Sequence, residues 1–321
     1  MRVTPEELRA SVTAVAKDVA EVYARLGPPF DDQEVERRFS SLSGAHASVA
    51  NCLASAYRFM YDEFGDGGKN AVLIACRIVE AALDRLPVEG LSNLPGAIDV
   101  ATARPAEWVN GSARLLYSVD EVRRIAETAV GGDVEIGAAV VEAFARAGPD
   151  GIIHVHNGGA SNSPSTTVSD GERTGARGRN ETIIVRGETD GDAKVLCLRA
   201  VHAVHAVRAA IAAGSVPGGG VAYALAAETL VADVDNDTIS GLAARAVVAG
   251  CEAPLRTRGD VVRADTVALL TALRHQPEQA FDQTVPGLVR ATDGPIDAAR
   301  IVQAAIGEAG RTACDLLRMS L

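Results

Sequence analysis

Aromatic residues are scarce in this sequence. Phe, Trp and Tyr together make up 4% of it, so a core has to be built mainly from Ala, Val, Leu and Ile. There is also no block of lysines and arginines. The net charge of −11 disfavours non-specific binding to nucleic acid or to an anionic membrane surface. No apolar run reaches the ~20 residues of a membrane span, and MRVTPEELRASV lacks the apolar centre of a signal peptide. No CxxC pair occurs. The five cysteines, Cys52, Cys76, Cys197, Cys251 and Cys314, are odd in number and far apart, which points to reduced thiols and a cytoplasmic location rather than a disulfide framework.

What is present is mostly helical pattern. The 321 residues suffice for two or three compact units with a large buried core. Thr4-Pro5-Glu6-Glu7 opens a helix: Thr4 can cap it, Pro5 suits the first helical position and Glu7 can complete a capping box. Leu8, Val12, Val15, Val19 and Val22 then recur at helical spacing as far as Leu26, where Gly27-Pro28-Pro29 stops the run. Helical patterns return at about 49–63, 70–85, 119–129 and 134–147.

Midway the texture changes. Gly151–His156 alternates like a strand. Residues 157–182 are rich in Gly, Ser, Thr and Asn, with strand candidates at 166–169 and 182–186. Helices resume at about 192–213 and dominate to the end. Three consecutive glycines, Gly218-Gly219-Gly220, interrupt that run. Each would cost roughly 1 kcal/mol against alanine inside a helix. Without side chains they let either a nucleotide or another stretch of backbone approach closely.

Several short motifs, in one order along most of the chain, carry a resemblance. They are Leu26-Gly27-Pro28, Gly65-Asp66-Gly67, Gly148–Ile153, the run VHAVHAVRAAIAAGSVPGGGVAYALAA, Cys251–Arg256 and Gly294–Arg300. In this order they resemble the chaperonin family, most closely its group I bacterial type. The resemblance implies a mainly α fold with a small α/β part. A helical, equatorial-like body would come from residues 1–132 and 215–321, and a reduced intermediate-like α/β domain from 133–214. It also implies ATP and Mg²⁺ as cofactors. Nucleotide contacts would fall on Gly27, Pro28, Asp66, Gly67, Lys69, Gly219 and Asp297, with Mg²⁺ on Asp66.

The sequence departs from the family's pattern in four places. Only Asp170–Glu181 lies where the family inserts its apical domain, so no client-binding or lid-binding domain is expected. The family's GDGTTT loop reads Gly65-Asp66-Gly67-Gly68-Lys69-Asn70, which keeps the magnesium-binding aspartate and loses the threonines. The family's catalytic aspartate falls on His202. The span from Gly27 to Gly65 is short and lacks the family's KDG hairpin, and no terminal strand follows the last helix.

These departures imply a chaperonin-like protein that binds nucleotide, with weak or absent hydrolysis. Self-association or a protein partner is expected, with no nucleic acid and no membrane. Two alternatives stay open: an active ATP-dependent folding chaperone, and a nucleotide-free structural or regulatory partner of another protein. Two histidine pairs, His154/His156 and His202/His205, have spacings that permit metal ligation. Nothing in the sequence brings the pairs together, and no structural metal is expected.

Overall fold

A computed structural model describes residues 3–26, 45–84, 91–170, 180–235, 237–285 and 287–320. The LGP turn with Gly27 and Pro28, and the span expected to lack a hairpin as far as residue 44, lie outside the described residues. The chain opens with α1 (Pro5–Leu26), α2 (Ala45–Phe64), α3 (Gly68–Leu83), α4 (Leu94–Ser112), α5 (Val119–Ala129) and α6 (Val134–Ala147). Three strands follow, β1 (Ile152–Ala160), β2 (Ser165–Asp170) and β3 (Asn180–Gly187), and then the long α7 (Asp190–Ala213). The remainder is β4 (Ser215–Pro217), α8 (Val221–Ala227), α9 (Ile239–Val261), α10 (Thr266–His275), β5 (Gln279–Asp282), β6 (Gly287–Arg290), β7 (Ile296–Ala298) and α11 (Ala299–Ser320).

Local chemistry starts several of these helices. Glu7 N donates to Thr4 Oγ1 at 3.2 Å and Thr4 N donates to Glu7 Oε2 at 2.8 Å, which is the expected capping box. Ser118 with Glu121 and Thr189 with Asp192 build the same device at α5 and α7. Asp133, Thr238 and Asp265 cap α6, α9 and α10 singly. Each such cap stabilises its helix by about 1 kcal/mol.

The centre of the helical body is α3, packed against α9, α11 and α1, while α11 also packs on α4. With so few aromatics, small residues let these helices approach closely. A Cβ at Gly250 on α9 would lie 2.5 Å from Ile78 Cγ1 and 3.0 Å from the Ile74 carbonyl on α3. Ile74, Ile78, Ala71, Ala75, Val247 and Cys251 are all buried at this contact region. All five cysteines are free thiols.

The strands form a mixed sheet in the order β1–β3–β2, with β3 parallel to β1 and antiparallel to β2. Pairing of β2 with β3 runs from Ser165↔Arg186 to Asp170↔Glu181. Residues 171–179, which join the two strands, lie outside the described residues. Helices α6 and α7 both pack on this sheet. Helix α7 is long and apolar enough, by length and composition, to cross a membrane. Here it is packed against β1, β3, α5, α6 and α11, with Ala200, His202, Ala203, Val207 and Ala210 buried.

Candidate functional site

One cleft collects polar side chains from elements far apart in the sequence. It is lined by Asp66, Gly67, Lys69 and Asn70 from the start of α3, by Thr128 from α5 and His202 from α7, and by Tyr223, Arg258 and Asp297. Ile125, Ile296, Ile301 and Val302 supply apolar wall. The cleft is partly open to solvent at its mouth.

The loop at the start of α3 is shaped by its glycines. Gly67 caps the helix with φ +88° and without a side-chain hydrogen bond. Its own N–H donates to Asp66 Oδ1 at 2.6 Å, which fixes the carboxylate at the helix start. Gly65, at φ +68°, leaves no room for a side chain, because a Cβ there would meet the His205 ring at 2.3 Å. The first turn of α3 carries no acidic residue, and Lys69 stands in it. Asn70 Nδ2 donates to the Tyr223 hydroxyl at 3.1 Å, tying this loop to α8.

Asp297 comes to the cleft on β7. That short strand is held by antiparallel pairing with β4, in which Val216 faces Asp297. Arg124 steadies the preceding turn by donating from one terminal nitrogen to the carbonyls of Ala291 (3.0 Å) and Gly294 (3.1 Å). Desolvation is the main reason that the Asp297 carboxyl is pushed up to about 6. Arg258 opposes the rise and the charge of Asp66 adds to it. Two carboxylates and a guanidinium thus act on one another across the cleft.

His202 is buried in α7 with its ring edge-on to Tyr61, centroids 5.8 Å apart. His205, one turn further on, is held below its ordinary value by desolvation first and then by the charges of Arg208 and His202. His154 and His156 stand exposed on β1. Among the described residues no cluster of three or more His, Cys, Asp or Glu is arranged to hold a metal.

The structure therefore brings Asp66, Gly67, Lys69, His202 and Asp297 together, and adds Arg258, Asn70 and Tyr223, which sequence reasoning missed. Gly219 does not line the cleft. At φ +73° a Cβ on it would fall 2.0 Å from the Phe281 carbonyl oxygen. Its neighbours are equally crowded: a Cβ on Gly218 would meet Pro295 at 2.7 Å, and one on Gly220 would meet Leu255 N at 2.7 Å. Three other backbone segments converge on this turn.

No protein-family model matches the sequence. Among solved structures, the chain superposes on one described as the crystal structure of a group III chaperonin in the open state, with a TM-score of 0.75. The fold is chaperonin-like. The match covers 98% of this chain and 97% of that one, at 14% sequence identity, so the likeness is one of fold. It extends almost from end to end of both chains, including the helical body and the small sheet.

Proposed function

We propose that this protein is a nucleotide-binding relative of the group I chaperonins that has lost the apical domain and most of the ATPase chemistry. The observation that carries the reading is the convergence of Asp66, Lys69, His202 and Asp297 on one cleft of a chaperonin-like fold. Residues 1–132 and 215–321 form the equatorial-like body in this reading, and 133–214 the intermediate-like domain. Helix α5 is the joint, since it packs on α6 and α7 and lines the cleft with Ile125 and Thr128.

ATP phosphates would lie against the start of α3, where helix-start N–H groups and Lys69 face the cleft. A divalent cation would find two carboxylates, Asp66 and Asp297, in the lining of the same cleft. Asp66 would hold Mg²⁺ together with phosphate oxygens, and bound Mg²⁺ would neutralise charge on the phosphates. Gly27 and Pro28 belong to the same proposed site by resemblance alone. A cytoplasmic location and self-association, or a protein partner, complete the reading, as expected of a relative of oligomeric chaperonins.

His202 decides the chemistry. A carboxylate general base can take a proton from water and adds negative charge beside a metal. An imidazole accepts through one nitrogen only and adds no negative charge. Loss of a positioned base lowers turnover by ~10²–10⁴. The test is phosphate release by the pure protein beside an ATP titration. Saturable ATP binding with turnover at least a hundredfold below an ordinary chaperonin supports the proposal, and His202→Asp should raise the rate. Fast turnover that is lost in Asp66→Ala would show an intact ATPase and overturn it.

A further inference from the structure

The charges that line the cleft have a consequence for what it needs in order to bind. Asp66 and Asp297 alone would present two negative groups, and a polyphosphate could enter only with a metal to screen it. Two cations line the same cleft as these carboxylates, Lys69 from the start of α3 and Arg258 from α9. Arg258 comes from the last turn of α9 and donates to Gln283 Oε1 at 3.4 Å, a contact that joins α9 to the turn after β5. His202 and Tyr223, the remaining ionisable groups of the described lining, are buried, and neither is a carboxylate.

We propose that Lys69 and Arg258 let this cleft bind nucleotide polyphosphate without a divalent cation. This rests on the nucleotide reading above and deepens it. Guanidinium and ammonium groups bind phosphate oxygens through charge-assisted hydrogen bonds. With the two carboxylates already balanced, the ligand enters a cleft of about zero net charge. Mg²⁺ then adds to affinity without being required for it. Arg258 also suits the C-terminal end of α9 on dipole grounds, and the experiment separates that structural role from the proposed one.

The experiment is calorimetric titration of the full chain with ATP, once in Mg²⁺ and once in excess EDTA, with thermal melts of each variant as a folding control. Binding in EDTA is expected within about threefold of that in Mg²⁺, a difference well under 1 kcal/mol. Arg258→Gln should weaken ATP binding about tenfold or more in EDTA and less in Mg²⁺, as befits a lost charge-assisted contact. Arg258→Lys should recover part of that loss. Binding seen only with Mg²⁺ overturns this inference and leaves the nucleotide reading standing. An Arg258→Gln loss that is equal in both buffers also overturns it, because a helix-end role predicts that result. Absence of ATP binding in both buffers overturns the nucleotide reading and this inference together.

Discussion

Two glycine-rich turns in this protein have opposite surroundings. Gly65-Asp66-Gly67-Gly68 frames a cleft, and the side chains around it are charged: Asp66 within it and Lys69 just after it. Gly218-Gly219-Gly220 lies at a crossing of backbones, against Phe281, Pro295 and Leu255. Both turns need positive φ, at Gly65 and Gly67 in one and at Gly219 and Gly220 in the other. Glycine content therefore separates neither from the other. The neighbours do: polar side chains line a cleft around the first, and backbone atoms crowd the second.

The largest expected effect breaks the packing turn. Gly219→Ala puts a methyl group 2.0 Å from the Phe281 carbonyl at a left-handed φ, and the combined strain and overpacking should cost about 3–5 kcal/mol. Thermal or urea unfolding checks this. A loss below about 1 kcal/mol would mean that the turn is slack, and would return it to the list of ligand turns.

The next effect is smaller and fades as pH falls. Asp297 has a folded-state value near 6, against about 3.9 for an unfolded aspartate. The folded state thus holds this proton more tightly. Stability contributed by Asp297 is greatest below about pH 4 and falls as pH rises through 6. Asp297→Asn should stabilise the free protein by about 1–3 kcal/mol at pH 7.5, with the gain vanishing near pH 4. A gain that persists unchanged at low pH would trace the effect to packing instead of charge.

The smallest stability effect belongs to the charged turn. Lys69→Gln should leave the unfolding free energy within about 0.5 kcal/mol while weakening ATP binding roughly tenfold. Loss of stability together with unchanged affinity would assign the two turns the other way round.

How much of this was legible in the sequence depended on range. The α1 capping box, the whole of α5 and α6, and the strands β2 and β3 follow from signals a few residues long, and the structure places them where those signals fall. Helix α4 escaped notice because Pro105 interrupts its interior and its buried positions are sparse. The pairing of β4 with β7 joins residues about eighty positions apart, beyond any local pattern, and the β5–β6 hairpin is too short to announce itself. Asp66, Lys69 and His202 could be placed through motif order. Arg258 could not, because nothing beside it in the chain marks a site and only the crossing of α9 over the cleft brings it there. The triple glycine was legible as a special turn, but its surroundings come from Phe281 and Pro295, more than sixty residues away.

The central claim is that this cleft is where nucleotide binds. Amide hydrogen exchange of the full chain, with and without ATP, tests it most directly. The first turn of a helix lies ahead of its internal hydrogen-bond ladder, so bound phosphate should slow amide exchange at the start of α3. The account predicts ATP-dependent protection at residues 65–70 and 296–302, with β1 and β2 unchanged. Protection confined to other segments, or none at saturating ATP, would contradict it.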